Sequence, residues 1–166
     1  MSYESNNRAE RNLSDPRTST VDSKGVPYGV RLMQIRESKG ESVEQIAAKA
    51  GITSQRYYDL EEGEGEVNMA ISLGEISRVA AVLGVPTWQV FDDEPLREKS
   101  VSLGELVEKL KAHLETTGLT ISEFEDRVGF ALSKSIFDPS EIQKWNVDCL
   151  RSVCKEIEID WRVALP

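Results

Sequence analysis

Side chains suited to acid–base, nucleophilic or metal chemistry are few in this sequence of 166 residues. His113 is the single histidine, and no serine, cysteine or carboxylate accompanies it at the spacing of a catalytic motif. Cys149 and Cys154 are the two cysteines, and five positions along a helix turn them to different sides. Zinc sites need more ligands at closer spacing. We therefore expect no catalytic residue, no metal site and no cofactor, and we interpret His113 and Cys154 as structural.

Carboxylates are concentrated between residues 57 and 67, which read YYDLEEGEGEV. Five of these eleven residues are Asp or Glu, and none is basic. Gly63 and Gly65 lie in the stretch, but no lysine follows them as it would in a phosphate-binding loop. Such a charge run is typical of a solvated loop after a helix. Recognition of a basic partner, or mimicry of DNA, is the alternative that stays open.

The composition is that of a globular chain with an acidic surface. Hydrophobic residues make up 39% and charged residues 30%, which permits a packed core. The net charge of −9 repels nucleic acid and anionic membranes. No apolar run approaches the roughly 18 residues of a membrane-spanning helix, and the polar N-terminus is no secretory signal. We therefore expect a cytoplasmic protein that does not bind membranes.

Helical periodicity begins at Tyr28, and strand patterns are absent. Before it, residues 1–26 are polar and predict a flexible arm. Ser42 and Ser72 each precede a glutamine or glutamate by three positions, which indicates capping boxes at two helix starts. The predicted helix ends are Gly40, Gly51 and Gly84, and a short helical turn is expected at residues 87–91.

The helical pattern of the first half recurs in the second half. Equivalent pairs separated by 78 positions include Leu32 and Leu110, Gly40 and Gly118, and Gly51 and Gly129. Pairs separated by 74 positions include Leu73 and Val147, Ile76 and Leu150, and Val79 and Val153. A deletion in the copy of the acidic stretch accounts for the change in spacing. We predict a first domain at 27–92, a linker at 93–100 and a degenerate second domain at 101–166.

The first copy resembles the lambda-repressor-like helix-turn-helix family, also called the Xre family. The matching residues are RLMQIRESKGESVEQIAAKAGITSQRYYDLEEG and ISLGEISRVAAVLGV. Ala47 is small where the second and third helices cross, Gly51 ends the second helix, and Ile52 fills the turn. The second copy matches mainly at core positions, and Glu125 replaces the small residue at the crossing. The resemblance implies an all-α fold of two tandem five-helix lambda-repressor-like domains.

In this family the exposed face of the third helix enters the major groove of double-stranded DNA. The residues that the resemblance places on this face as DNA-binding candidates are Thr53, Ser54, Gln55, Arg56 and Tyr58. Gln55 suits adenine and Arg56 suits guanine, because each can form a bidentate contact with that base. The hydroxyl groups of the other three suit phosphate oxygens.

The sequence also departs from the family at positions that contact phosphate. Val43 stands where the family often has glutamine, and Glu62, Glu64 and Glu66 stand where it often has basic residues. A carboxylate near phosphate adds repulsion where a cation would gain counterion release. We interpret Glu61 differently, because the family carries glutamate there for structural reasons.

The second copy departs further, and it does so at its third helix. Ile136, Phe137, Ile142 and Trp145 are too apolar for a solvated reading face, so we interpret them as core or partner surface. Counted separately, residues 28–92 and residues 101–166 each carry a net charge of −4. Neither half therefore has the basic footprint expected of a nucleic-acid binder.

Two functions remain open at this point. The first is a DNA-binding transcriptional regulator, weak on its own and acting as an assembly, with self-association or a protein partner at residues 101–166. The second is a protein-interaction adaptor of the antitoxin, antirepressor or phage-regulator kind, built on a helix-turn-helix scaffold that has lost DNA binding.

Overall fold

A computed structural model describes residues 26–62, 70–92, 94–96 and 98–165. Within these ranges the regular structure is helical, which confirms the predicted all-α class. The α-helices are α1 (Tyr28–Ser38), α2 (Val43–Ala50), α3 (Ser54–Glu62), α4 (Leu73–Leu83), α5 (Leu103–Thr117), α6 (Ile121–Val128), α7 (Ser133–Phe137) and α8 (Val147–Glu156). Short 3-10 helices cover Thr87–Val90, Pro139–Lys144 and Trp161–Ala164. Two segments discussed above lie outside the described ranges. They are the predicted arm except for its last residue, and positions 63–69, which include the end of the acidic stretch.

Local capping sets the helix starts, as the sequence predicted. The Ser42 hydroxyl accepts from the Gln45 N–H at 3.2 Å, and the Ser42 N–H donates to Gln45 Oε1 at 2.7 Å. Ser72 and Glu75 form the same reciprocal pair at the start of α4. In each box two amide groups that the first helical turn leaves unpaired find acceptors.

The first three helices pack closely around buried apolar residues. Leu32 from α1, Ile46 from α2 and Tyr57 from α3 are fully buried. Where α1 crosses the end of α3, Gly29 lies against the backbone: a Cβ there would be 2.9 Å from the Glu61 carbonyl carbon and closer to its oxygen. Only a glycine allows this approach without moving one of the helices.

An ion pair also ties α1 to α3. Arg36 Nε donates to Glu61 Oε1 at 2.7 Å, and Arg36 Nη2 donates to Glu61 Oε2 at 3.0 Å. The Glu61 side chain is only 7% exposed. Hydrogen bonding to this carboxylate raises the pKa of Arg36 above its ordinary value. Glu61 therefore has the structural role expected of it.

Left-handed backbone conformations recur at the spacing of the predicted repeat. Among the described residues, the positions with positive φ are Gly40, Gly51, Gly84, Gly118, Gly129 and Glu158. Two of the pairs are separated by 78 positions, and Gly84 and Glu158 are separated by 74. A left-handed residue that ends a helix is a backbone requirement, and at Gly84 and Glu158 it recurs although the residue types differ. The division into two domains stays a prediction.

The two halves are packed against each other. Ser72 and Asn146 form a single antiparallel β-bridge, and the Leu73 N–H donates to the Trp145 carbonyl at 2.8 Å. A second contact joins the Phe91 and Trp161 rings, whose centroids are 5.1 Å apart. Buried apolar residues from both halves form one continuous cluster.

In the second half, Glu125 occupies the position of the small Ala47. Its carboxylate has a definite role at the start of α7. Oε1 accepts from the N–H groups of Leu132 and Ser133 at 2.5 and 2.7 Å, and from the Ser133 hydroxyl at 2.6 Å. These bonds lower the pKa of Glu125. Leu132 cannot cap α7 itself, so a side chain from α6 does so.

Candidate nucleic-acid interface

The outward face of α3 is the surface on which the sequence placed the DNA-binding candidates. Tyr57 and Leu60 point into the core, at 0% and 2% exposure. Neighbours of Tyr57 and Leu60 in the sequence point to other sides of the helix. The face of α3 opposite the core is open to solvent. Thr53, Gln55 and Tyr58 are exposed on it.

The remaining two candidates, Ser54 and Arg56, are only half exposed. Thr53 is also the residue that starts the helix, since its Oγ1 accepts from the Arg56 N–H at 3.2 Å. Its hydroxyl therefore has an acceptor role within the fold and keeps a proton to donate.

Gln55 is engaged along its own helix. Its Nε2 donates to Asp59 Oδ1 at 3.0 Å. The amide group has a second hydrogen and a free carbonyl oxygen, so one contact with Asp59 leaves a donor and an acceptor for a base edge. Adenine offers the matching acceptor and donor in the major groove.

Arg56 is held by a bidentate contact with Glu75, the residue that closes the capping box of α4. Nε donates to Glu75 Oε1 at 2.7 Å, and Nη2 donates to Oε2 at 2.9 Å and to the Ala70 carbonyl at 2.6 Å. The Arg56 hydrogen bond is the largest cause that lowers the pKa of Glu75 to about 2, and the same bond raises the pKa of Arg56. The guanidinium fork that would read guanine is thus already occupied within the protein.

Other basic side chains of the first half also have partners within the protein. Lys49 is paired with Glu41, and Arg36 with Glu61. Arg78 donates to the carbonyl groups of Ala50 and Gly74 at 3.0 and 3.2 Å. Arg31 is buried, whereas Lys39 is exposed and has no ion pair within the described ranges. An approaching phosphate would therefore find few available cations.

Val43, which stands where the family often has glutamine, is a core residue. The side chain at this first position of α2 is 5% exposed and packs in the core. It therefore cannot reach a phosphate. Glu62 is exposed at the end of α3, whereas Glu64 and Glu66 lie outside the described residues.

The described part of the chain also shows where the residues considered for metal or acid–base chemistry lie. It contains no cluster of His, Cys, Asp and Glu residues that could hold a metal ion. His113 is half buried, with its ring 5.7 Å from that of Phe124. Cys149 and Cys154 are both buried thiols, because α8 is covered on several sides, and burial raises the pKa of each to about 12. No helix among these residues is long and apolar enough to cross a bilayer.

Comparison with known proteins places the first half in a family. Residues 32–87 match the model of the helix-turn-helix family. No curated protein and no solved structure matches the chain. The matched segment starts within α1, contains all of α2, α3 and α4, and ends at the first residue of the 3-10 helix. It includes the turn at Gly51 and the exposed face of α3. Residues 32–87 are therefore a helix-turn-helix domain of the lambda-repressor-like type.

Proposed function

We propose that this protein is a DNA-binding transcriptional regulator that is weak on its own and acts as an assembly. The observation that carries the proposal is the family match over residues 32–87, together with the solvent-exposed outer face of α3 within that match. The burial of Tyr57 and Leu60 supports the proposal, because it leaves the opposite face of α3 available to a partner. In this proposal that face lies in the major groove.

Each candidate residue has a separate role in the proposal. Gln55 reads adenine with its carbonyl oxygen and its second amide hydrogen, while Asp59 orients the amide group. Thr53, Ser54 and Tyr58 donate to phosphate oxygens. Arg56 reads guanine, and to do so it exchanges the Glu75 carboxylate for the base edge. This exchange consumes part of the binding free energy, which is one physical reason to expect low affinity.

The net charge supplies a second reason for weak binding. The first half carries −4, and most of its cations are paired with carboxylates or carbonyl groups. Each phosphate contact made by a free cation would release counterions and steepen the salt dependence. With few such contacts, we expect a shallow salt dependence and an affinity that benefits from joining several domains.

The test is a titration with duplex DNA, followed by fluorescence anisotropy at two salt concentrations. Random-sequence duplexes and duplexes selected from a random pool report nonspecific and specific binding. Arg56→Ala should lose about 1–3 kcal/mol on selected duplexes and relax one base position. Lys155→Ala removes the same charge from the exposed surface of α8 and serves as the control, which should bind like the natural protein.

A gain-of-affinity variant tests the acidic stretch in the opposite direction. Glu62→Lys, Glu64→Lys and Glu66→Lys together should tighten binding to any duplex and steepen the salt slope, because they restore cations where the family contacts phosphate. Wild-type affinity that survives Arg56→Ala with unchanged sequence preference would refute the assignment of the reading helix. Thermal melts of each variant show whether a loss of binding is a loss of folding.

The second candidate function is the adaptor. The pairing of Arg36, Lys49 and Arg56 with carboxylates favours it, since these contacts leave little positive surface. An adaptor would show no affinity for duplex DNA even at low salt, and Arg56→Ala would change nothing. The triple lysine variant would then gain weak binding that the natural protein lacks.

A further inference from the structure

An exposed aromatic side chain lies beside an apolar groove in the second half. Phe137, the last residue of α7, is 88% exposed. The groove runs between the start of α5 and α7, with a volume of about 600 Å³. Apolar lining comes from Val101, Val107, Ile136, Phe137 and Pro139. Exposed phenylalanine next to such a surface is characteristic of a protein-binding site.

The side of α7 that faces the core is held by buried contacts, so a shift of this helix cannot turn Phe137 inward. Ser135 is 3% exposed, and the buried Trp145 Nε1 donates to its hydroxyl at 2.9 Å. Glu125 caps the start of the same helix. Because the start and the middle of this short helix are held, Phe137 stays on its solvent side.

The same surface in the first half is polar. At a spacing of 78 positions, Ile136 and Phe137 correspond to Tyr58 and Asp59 on the reading face of α3. The second half is therefore apolar at these two positions, whereas Ser133 and Lys134, which correspond to Gln55 and Arg56, are polar. An apolar side chain gains little from phosphate but is stabilised when a protein surface excludes water from it.

We propose that a second copy of this chain occupies the groove, with each Phe137 inserted into the groove of the other copy. The projecting ring and the cavity are neighbours on one face, so a twofold arrangement can satisfy both at once. The charged rim supports a copy as the partner. Glu108 and Lys111 at the rim are paired with each other within one copy, which leaves one carboxylate, Glu105, and one ammonium group, Lys109, that can each meet the opposite charge of the other copy.

This dimer goes beyond the proposed function and does not depend on it. If the protein binds DNA, the dimer brings two copies of α3 together and supplies the assembly that weak binding requires. If the protein is an adaptor, the dimer stands unchanged. The test therefore uses the full chain without DNA.

Sedimentation equilibrium over micromolar to millimolar concentrations measures the association. Phe137→Asp should weaken the dimer at least about tenfold, because a charge would be buried in the partner's groove. Gly104→Leu tests the cavity from the other side: nothing lies within 4 Å of a Cβ at this position, so the larger side chain fills the groove without disturbing α5. It should weaken the dimer to a similar extent.

Two controls distinguish this contact from general effects. Val26→Asp places the same charge on another exposed apolar residue, 40% exposed, and should leave the association unchanged. Added salt should not dissociate the dimer, because it screens both the charge pairs at the rim and the repulsion between two chains of net charge −9, and leaves the apolar contact in place. Circular-dichroism melts confirm that each variant is folded.

Three results would overturn the proposal. The first is a monomer over the whole concentration range. The second is a dimer that neither Phe137→Asp nor Gly104→Leu weakens. The third is an association that salt dissociates, since attraction between charges would then hold the copies together in place of the apolar groove.

Discussion

Replacing Gly29 by alanine should destabilise the protein, whereas replacing Gly104 by alanine should stabilise it. Both glycines are the second residue of the first helix in their half, so the chemical change and the helical position are matched. Only their surroundings differ. A Cβ at Gly29 meets the last turn of α3, and a Cβ at Gly104 meets nothing within 4 Å.

The magnitude follows from the distances at the crossing of α1 and α3. The added Cβ would be 3.0 Å from the Leu60 carbonyl oxygen and closer still to that of Glu61, whereas ordinary C···O contacts are about 3.3–3.6 Å. The helices must therefore move apart, and overpacking of this kind costs about 1–3 kcal/mol. Alanine in a helix recovers about 0.5–1 kcal/mol relative to glycine.

The net expectation is a loss of about 1–2 kcal/mol for Gly29→Ala and a gain of about 0.5–1 kcal/mol for Gly104→Ala. For a chain of this length that unfolds in one step, each kcal/mol moves the melting temperature by about 2–4 °C. Urea denaturation followed by tryptophan fluorescence measures the difference, with the m-value as a check on the unfolded state. Equal urea midpoints for the two variants would refute the proposed close approach of α1 and α3.

Three further predictions concern single side chains. The pKa of Glu75 is about 2 in the folded protein, below its ordinary value, so the stabilisation by its carboxylate is present above pH 4.5 and is lost as the pH falls towards 2. Glu75→Gln should therefore cost about 1 kcal/mol of unfolding free energy at neutral pH. In urea titrations the same variant should show a weaker dependence of stability on acid pH. Glu158 has a φ of 59°, a left-handed conformation that costs a non-glycine residue about 1 kcal/mol, so Glu158→Gly should raise the melting temperature. Gly84 has a φ of 65° at the equivalent position, so Gly84→Ala should lower the melting temperature for the same reason. Cys149 and Cys154 should react with a thiol reagent much more slowly in the folded protein than in urea, since both thiols are buried and burial raises their pKa. Rapid labelling of the native protein would show that α8 opens.

Local signals in the sequence predicted the helices well. Ser42, Ser72 and Gly51 act on the residues within one turn of them, so their effect can be read without knowledge of the tertiary structure. Glu61 could be assigned a structural role for a different reason, namely the resemblance to the family. The structure adds its partner, Arg36.

Long-range partners could not be predicted in this way. Arg56 looked like a free base reader, because nothing in the spacing of residues indicates that Glu75 lies beside it. Glu125 stands where the first half has a small residue, and nothing in the spacing indicates that it caps amide groups of the next helix. In both cases a charged group is satisfied by a neighbour that only the packing of helices brings near.

The contact between Ser72 and Asn146 has a consequence for how the two halves can change. These residues are 74 positions apart, which is the spacing of the predicted repeat, so each is paired with its own equivalent. In an assembly of identical subunits, a substitution on one side of such a contact necessarily appears on the other. Here the two sides are encoded separately, and each can be substituted alone. Ala47 and Glu125, or Asp59 and Phe137, could therefore diverge while the contact between the halves was kept.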